Sequence, residues 1–283
     1  MKNILSIDVE EWFHPEAVQH LFPPESWNER ESRVERNVIK LLELFDEYET
    51  KATFFVLGWT ARKYPQLIKK MVSLGHEVAT HGNSHRMVTK LAPEVFREDL
   101  AASISIIQDI SGEKVLGFRA PTFSIVKETQ WAWKIMLDLG LEYDSSVYPI
   151  WHDRYGIPDA PRKPYIALKK EQEKLIEFPM PTLKFGNKNF PFGGGGYLRI
   201  FPLWFTKYAI KKFNTEELPA IIYAHPWEFD AEQPRLDLGR IQTWRHYYNI
   251  NKNLSKLEVL LNRFQWISFK EFLQQGNLNN LLI

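Results

Sequence analysis

The stretch Ser6–His14, SIDVEEWFH, is the most informative part of the sequence for the fold. It predicts a buried strand whose carboxyl end carries a group of acidic residues. Residues 4–7 form an apolar run that is typical of a strand, and Asp8, Glu10 and Glu11 follow at its carboxyl end. Successive side chains of a strand point to opposite sides, so Asp8 and Glu10 share one side and Glu11 faces the other. Helix capping or a solvated loop would also explain such carboxylates, and we adopt that interpretation for Glu11.

Beyond this stretch, strand-like and helix-like segments alternate through the first half of the chain. Short apolar runs bounded by turn residues predict strands, and apolar residues at helical spacing predict helices between them. The predicted strands lie at residues 2–8, 52–58, 76–81, 115–120 and 141–147, and the predicted helices at 32–48, 65–74, 93–110 and 128–139. Such alternation favours parallel strands with right-handed crossovers, so we predict an α/β fold.

The regular alternation stops at about residue 149. Residues 149–202 are rich in Pro, Gly and aromatic residues, which predicts a loop-rich insertion with a single strand at 175–178. The alternation then resumes with strands at 220–225 and 265–267 and helices at 203–213, 254–264 and 268–275. We therefore predict one barrel-like domain over residues 1–283, with a C-terminal extension at about residues 231–283.

Composition argues against several classes of protein. Lys and Arg together number 36 and Asp and Glu 35, and this balance gives no support to nucleic-acid binding. The absence of Cys excludes disulfides, thiolate metal sites and a cysteine nucleophile. No stretch approaches the roughly 18 apolar residues of a membrane span, and the apolar run before Asp8 is too short for a signal peptide. We therefore expect a cytoplasmic protein without a membrane span.

The segment ATHGNSHRM, residues 79–87, follows the third predicted strand and contains His81 and His85. Two imidazoles at this spacing can face one point if the backbone turns like a helix, and Gly82 allows that turn to begin directly after the strand. Neutral imidazole is a common ligand for Zn²⁺, Co²⁺, Ni²⁺ and Fe²⁺. The pair alone is a weak signal, because one histidine of such a pair often packs or caps. Carboxylates at the end of the first strand strengthen the metal-site interpretation.

Three further predicted strands end in polar residues: Arg119 in LGFRAPTFS, Asp144, and His225 in IIYAHPWEF. In parallel α/β folds the carboxyl ends of the strands meet at one edge, where catalytic residues lie. A buried Arg119 would keep a neighbouring carboxylate ionised, although a surface arginine explains this segment equally well. His225 near a metal would suit a general acid, whereas a lone histidine at such a position is usually a core residue.

Taken in order, these segments resemble the polysaccharide deacetylases of the NodB-homology class, carbohydrate esterase family 4. The resemblance runs from about residue 4 to residue 248. It is closest to the subgroup linked to bacterial exopolysaccharide loci with exosortase systems. The segments that carry it are SIDVEEWF, HGNSHRMV, GFRAPTFSI, YDSSVYPI, HDRYGIPDAPR, GGGGYLRIFP and HPWEFD.

The resemblance implies a distorted (β/α) barrel of about seven parallel strands. It implies a divalent metal, usually zinc, with cobalt or nickel as alternatives. The implied reaction is hydrolysis of N-acetyl groups on amino sugars of a bacterial polysaccharide or its precursor. The partner is then an N-acetylated glycan rather than nucleic acid, and a homo-oligomer is left open.

Carried over by position, the resemblance assigns roles to five of the residues above. Asp8 becomes the catalytic base, Arg119 the residue that orients it, and His225 the general acid. His81 and His85 become metal ligands.

The third ligand departs from the usual pattern of the class, in which two adjacent aspartates occur and the second binds the metal. Here Val9 follows Asp8. A subset of the class has an Asp-x-Asp arrangement, and Glu10 is similar to its second carboxylate. Glu10 is therefore the expected third ligand.

Contacts to the sugar are expected from the insertion and from strand ends. Loop packing and turn formation explain these residues equally well. The candidates are Pro121, Asp144, His152, Gly195, Arg199 and Trp227.

Two other functions stay open at this point. The first is a metal hydrolase on the same scaffold that cleaves another non-peptide C–N bond, such as a cyclic amide. The second is a metal-free, catalytically inactive carbohydrate-binding relative. Product analysis separates the first from a deacetylase, and metal analysis of the purified protein tests the second.

Overall fold

The computed structural model describes residues 1–275. Its strands are, in chain order, β1 (Lys2–Val9), β2 (Thr53–Val56), β3 (Glu77–Thr80), β4 (Gly117–Phe118), β5 (Tyr143–Asp144), β6 (Tyr165–Lys170), β7 (Glu173–Glu177), β8 (Thr182–Phe185), β9 (Lys188–Pro191), β10 (Ile221–Ala224) and β11 (Gln265–Ile267).

The helices cover the outside of the sheet or connect its strands. They are α1 (Glu16–Gln19), α2 (Val34–Glu47), α3 (Gly58–Lys63), α4 (Pro65–Ser73), α5 (Pro93–Ser111), α6 (Trp131–Asp138), α7 (Gly196–Ile200), α8 (Leu203–Asn214), α9 (Arg240–Tyr247), α10 (Ile250–Arg263) and α11 (Phe269–Gln274). Within residues 1–275, none of them combines the length and the apolar character needed to cross a membrane.

Nine strands form one sheet in the order β10-β1-β2-β3-β4-β5-β7-β6, and β11 pairs with β1. All pairings in this sheet are parallel except that of β6 with β7. Strands β8 and β9 form a separate antiparallel hairpin. The prediction of an α/β fold with a mostly parallel sheet is confirmed. The carboxyl ends of β1, β3, β4 and β10 therefore lie along one edge.

Strand β1 alternates between two environments, as predicted. Ile7 and Val9 face the helices and belong to the main apolar core. Ser6 and Asp8 face the other way, and both accept hydrogen bonds from the buried guanidinium of Arg119. The period of two in the strand thus separates apolar packing from polar chemistry.

The structure corrects the prediction for residues 149–202. This segment was expected to be loop-rich with one strand, but it contains β6 to β9 and α7. The predicted strand at 175–178 overlaps β7, which pairs with β5 and so belongs to the main sheet. Gly194 extends the sheet at its opposite end through a parallel bridge to Tyr223 of β10.

Two other predicted strands are much shorter than expected. The strands predicted at 115–120 and 141–147 reduce to the two-residue strands β4 and β5. The residues that follow them leave the sheet and form turns whose side chains contribute to the polar edge. The predicted closing helix is present as α11, and the last part of the C-terminal extension, residues 276–283, lies outside the described residues.

Candidate active site

Glu10, His81 and His85 bring three potential metal-ligand atoms to one point. Nε2 of His81 lies 3.1 Å and Nε2 of His85 2.9 Å from Oε1 of Glu10. One ligand atom from each residue lies within 4.8 Å of the others, and all three residues are buried. Two imidazoles and one carboxylate are a donor set that suits zinc and related divalent ions, with coordination positions left for water and substrate.

The hydrogen bonding of His81 fits a cation at this point. Nδ1 of His81 lies 2.8 Å from the backbone carbonyl of Arg119, which can only accept, so Nδ1 carries the proton. In the neutral ring, Nε2 then presents a lone pair to the carboxylate of Glu10. Two acceptors that face each other need a proton or a cation between them. The residues present therefore fit a divalent metal.

The loop that follows β3 brings the two histidines together without a helical turn. Residues 82–87 contain no helix; instead Gly82 and His85 have positive φ values of 78° and 51°. The side chain of Asp99 on α5 accepts hydrogen bonds from the backbone N–H of Asn83 and the hydroxyl of Ser84. The two imidazoles therefore meet without the helix-like turn that the sequence analysis considered, and the contacts with Asp99 hold the loop in this conformation.

Asp8 lies beside this cluster and is held by Arg119. Nη1 of Arg119 donates to Oδ1 of Asp8 at 2.7 Å and to the hydroxyl of Ser6 at 2.8 Å. Its other groups donate to the carbonyl and the hydroxyl of Ser145. The guanidinium lies 4.2 Å from the centre of the Phe55 ring and is fully buried. Oδ1 is thus fixed, while Oδ2 faces His225 at 3.9 Å.

His225 follows β10 and is oriented by a residue that the sequence analysis missed. Oε2 of Glu228 accepts from both Nδ1 and the backbone N–H of His225 at 3.0 Å. Nε of Arg199 donates to the other oxygen of Glu228 at 2.7 Å. The spacing His-x-x-Glu across Pro226, typical of a capped turn, was the available signal for Glu228. Nε2 of His225 consequently points to Asp8 and Glu10.

The charged side chains at this edge of the sheet shift one another's pKa values. Burial alone would raise the pKa of Glu10, but the neighbouring His85, His225 and His81 hold it well below its usual range. Burial would lower the pKa of His225, but the carboxylates of Glu10, Glu228 and Asp8 raise it to about 9. An imidazolium at His225 and a carboxylate at Glu10 are therefore the favoured forms of these two side chains.

Glu11 lies outside the cluster around Asp8 and Glu10 and binds the start of a helix. Its carboxylate accepts the backbone N–H groups of Arg33 and Val34 at the start of α2. It also accepts from the hydroxyl of Ser32. The interpretation of Glu11 as a helix cap is confirmed, and the acidic stretch after β1 divides between the candidate site and the start of a helix.

The residues predicted to contact the sugar fall into two groups. His152 is half-buried and stacks on Tyr155 with ring centres 3.9 Å apart, and Trp227 stacks on His225 at 5.3 Å. Both line cavities on this edge. Pro121 is buried in a turn after Arg119. These three remain candidates for substrate contact.

The other three candidates have internal partners. Asp144 is fully buried and accepts hydrogen bonds from Trp133 and Ser146, and burial raises its pKa. Gly195 is buried against the ring of Tyr223. A sugar contact of either residue stays a prediction. Arg199 lines a cavity, but its Nε donates to Glu228 and its Nη1 to backbone carbonyls of residues 245, 246 and 248.

Comparison with known families divides the chain in two. Residues 30–143 match the family described as polysaccharide deacetylase. Residues 145–274 match a domain of unknown function. The candidate site draws on both matched segments and on residues before them, since Asp8 and Glu10 precede residue 30 and His225 and Glu228 lie in the second segment.

Individual relatives agree with the first of these matches. A peptidoglycan deacetylase of Helicobacter pylori is 30% identical over 113 residues, 40% of this chain and 38% of that protein. A chitooligosaccharide deacetylase of Sinorhizobium fredii is 37% identical over 83 residues, 29% of this chain and 39% of that protein. The chain thus spans less than two fifths of the length of either relative.

A solved structure agrees in fold. A candidate polysaccharide deacetylase from Mycobacterium smegmatis superposes with a TM-score of 0.61 at 18% identity, covering 99% of this chain and 92% of that one. This likeness concerns the fold alone. Residues 30–143, about two fifths of the chain, are thus similar to the polysaccharide deacetylase family, and residues 145–274 match a domain of unknown function.

Proposed function

We propose that this protein is a metal-dependent hydrolase that removes N-acetyl groups from amino sugars of a bacterial polysaccharide or its precursor. The observation that carries the proposal is the convergence of Glu10, His81 and His85 beside an aspartate and a histidine that are each held by buried partners. The named relatives act on peptidoglycan and chitooligosaccharides, which supports an acetamido sugar as substrate. The resemblance to the exopolysaccharide-locus subgroup makes an exopolysaccharide the glycan that we favour.

The residues divide the work of amide hydrolysis. Glu10, His81 and His85 would hold the divalent ion, zinc being favoured by the mixed nitrogen and oxygen donors. When bound, the ion would supply Lewis-acid polarisation of the acetamide carbonyl and would acidify an attacking water. Asp8 accepts the proton of that water through Oδ2, because Oδ1 is already occupied by Arg119. Asp8 thus acts as the general base.

His225 is the general acid in this proposal. Its Nε2 lies 3.9 Å from Asp8 and 3.7 Å from Glu10, so it faces the same space as the base. Glu228 holds Nδ1 and favours the imidazolium, and Arg199 keeps Glu228 ionised, with the pKa of Glu228 lowered to about 2 against the opposing effect of burial. His225 can then protonate the departing amine, and the products are acetate and a free amino sugar.

The test combines acetate release with metal content in one sample. Acetate is measured from a panel of N-acetylated glycans and small cyclic amides, with metals quantified in the same purified protein. We expect acetate release from the glycans, no product from the cyclic amides, and close to one divalent ion per chain. Product from cyclic amides alone would favour the alternative C–N hydrolase, and metal-free protein without turnover would favour the inactive binding protein.

Two variants separate metal binding from proton transfer. His81→Ala removes a ligand, so metal and activity are lost together. His225→Ala leaves the three ligands in place, so metal stays while the rate falls by about 10² to 10⁴. Each variant serves as the control for the other, and turnover retained in both would refute the assignment of roles.

A further inference from the structure

A cavity of about 470 Å³ lies next to the candidate active site, between α1 and α9. Trp227 and His246 form part of its wall. Trp227 stacks on His246 at 4.7 Å and on His225 at 5.3 Å between ring centres. A molecule in this cavity would therefore contact the tryptophan that packs against the proposed general acid. The volume is in the range of sites for small ligands, so it suits a sugar unit.

The wall of this cavity carries one positive charge without a partner. Arg154 is paired with Glu16, and Arg199 is paired with Glu228. Arg245 is exposed and forms no ion pair within residues 1–275. Three arginines line this cavity, and two of them are paired with glutamates. The guanidinium of Arg245 is therefore available to bind an anion.

His246 adds no further charge to this wall. Burial and the neighbouring Arg199 lower its pKa to about 4, so its ring is neutral near pH 7. The ring instead extends the aromatic surface of Trp227. Among the arginines that line this cavity, Arg245 is consequently the one without an ion-pair partner in the described residues.

The position of Arg245 is fixed by the same residue that orients the site. Arg199 donates to the backbone carbonyls of Arg245 and His246 at 3.0 and 2.8 Å and so holds the end of α9. The positive charge of Arg245 also affects the pKa of His152, which lies in the insertion at residues 149–202. Burial lowers the pKa of His152, and Arg154 and Arg245 lower it further. The backbone at Arg245 is therefore held by Arg199, and its side chain lines the cavity.

A second cavity of about 510 Å³ lies on the other side of the pair formed by Glu16 and Arg154, which lines both. His152 and Tyr155 belong to its wall. The two cavities place binding space on both sides of this ion pair at the candidate active site. This arrangement suits a substrate longer than one sugar unit.

We propose that Arg245 binds the anionic group, a carboxylate or a phosphate, of an acidic N-acetylated glycan, which the cavity between α1 and α9 holds against Trp227, the ring that stacks on His225. The inference rests on the proposed function and names its substrate class. A guanidinium offers two parallel donors that match a carboxylate or a phosphate. A competing role exists, since a cation in the last turn of a helix stabilises the helix dipole. That role would change stability but not the choice between substrates.

The experiment measures affinity as well as turnover. Dissociation constants are determined by calorimetry for three probes: an N-acetylglucosamine hexamer, a hexamer of N-acetylglucosamine alternating with glucuronic acid, and UDP-N-acetylglucosamine. The proteins are the wild type, Arg245→Gln, Arg245→Glu and the control Arg240→Gln, which removes an exposed charge from the first turn of the same helix. Acetate release and thermal midpoints are recorded for the same samples.

We expect the wild type to bind at least one acidic probe about tenfold more tightly than the neutral hexamer. Arg245→Gln should abolish most of that preference, Arg245→Glu should reverse it, and Arg240→Gln should retain it. Preference for the uronate hexamer identifies a carboxylate, and preference for the nucleotide sugar identifies a phosphate.

Three results would overturn the inference: equal affinity of the wild type for neutral and acidic probes, no measurable binding of either acidic probe, or the same loss in Arg240→Gln as in Arg245→Gln. A lower thermal midpoint with unchanged preference would assign Arg245 to the helix dipole and also reject the proposal. Acidic preference without acetate release from any glycan would leave this subsite standing and reject the proposed function. Acetate release without preference would do the opposite.

Discussion

Arg119 joins the two halves of the candidate site through a single side chain and its own backbone. Its guanidinium holds Asp8, and its backbone carbonyl accepts the Nδ1 proton of His81. The charge is fully buried, and its stated hydrogen bonds go to Asp8, Ser6 and Ser145. A buried charge persists only when it is paired and hydrogen-bonded, which explains why these acceptors surround it. The proposed base and a proposed ligand are thereby fixed relative to each other.

The first prediction concerns Glu228. Glu228→Gln removes the charge that favours the imidazolium of His225 but keeps a side chain of the same size. We expect kcat to fall about tenfold to a hundredfold, with KM and metal content little changed. The measurement is steady-state kinetics across pH with metal analysis. Because Gln leaves Arg199 partly uncompensated, a lower thermal midpoint is expected as well.

The control for this variant is Glu232→Gln, which lies four residues further on and is strongly exposed. It should change neither rate nor stability. A Glu228→Gln enzyme with the kcat and pH profile of the wild type would remove Glu228 from the proton-transfer scheme.

The second prediction concerns His76, outside the candidate site. His76 is buried between Phe45 and Phe54, and burial with the charge of Lys51 lowers its pKa to about 4. The unfolded chain binds a proton near pH 6.5, so it holds more protons than the folded chain between pH 6.5 and 4. Stability therefore falls as pH decreases through that window, by about 3 kcal/mol from this residue.

His76→Gln keeps a hydrogen-bond acceptor for the Ala52 N–H but cannot titrate. We expect the free energy of unfolding, from urea titrations at pH 7, 6, 5 and 4, to fall less steeply than in the wild type. His246 shifts in the same direction, so part of the slope remains. Parallel curves for the two proteins would show that His76 is protonated equally in both states.

At the scale of the elements, the acidic residues that follow β1 serve both the carboxyl end of that strand and the start of α2. The residues after β1 supply Glu10 to the candidate site and Glu11 to the first N–H groups of α2. The first N–H groups of a helix lack intrahelical acceptors, and a carboxylate there also favours the helix dipole. The position of α2 on β1 is thus tied to the backbone that presents the proposed ligand.

The third prediction tests this cap. Glu11→Ala leaves the N–H groups of Arg33 and Val34 without their carboxylate in a buried place, so we expect a loss of about 1–3 kcal/mol in unfolding free energy. The measurement is the urea midpoint at constant metal concentration. The control Glu43→Ala changes an exposed glutamate within α2 and should cost less than about 0.5 kcal/mol. Equal losses in the two variants would contradict the capping role.

At the scale of the whole molecule, the candidate site depends on contacts across the two segments matched by known families. The proposed ligand histidines and Arg119 lie in the deacetylase match, whereas His225, Glu228 and Arg199 lie in the segment of unknown function. The glycine-rich stretch joins this second segment to the sheet, because Gly193 and Gly195 exchange backbone hydrogen bonds with Tyr223 of β10. The tetraglycine is thus a packed part of the sheet edge that leads to His225.

The fourth prediction tests that contact with a matched pair of glycines. Gly194 has φ 133°, and an added Cβ would lie 1.9 Å from the carbonyl oxygen of Tyr223. Gly194→Ala should therefore cost about 4 kcal/mol or more in unfolding free energy and should lower activity. Gly186 has φ 57° with open space around it, so Gly186→Ala should cost only about 1–2 kcal/mol of backbone strain. Similar losses in both, measured by urea titration, would exclude the steric explanation.

The alternation of strands and helices, the mostly parallel sheet and the polar residues at strand ends were all predictable from the amino-acid sequence. These features follow from local periodicity, since a period of two puts Asp8 with Ser6 and away from Val9 whatever the rest of the chain does. Residue type and strand-end position also selected Glu10, His81, His85, Arg119 and His225, and the structure brings all five together with Asp8.

The remaining features depend on how the elements pack. The burial of Asp144, the positive φ of His85, the support of Glu228 by Arg199, and the contact of Arg199 with the backbone of Arg245 all involve partners that are distant in sequence or packing around a turn. The strands β6, β8 and β9, which the sequence analysis did not predict, likewise form through their pairing partners. Local patterns fix which side of an element a residue faces, but the residue that it meets there is fixed by how the elements pack.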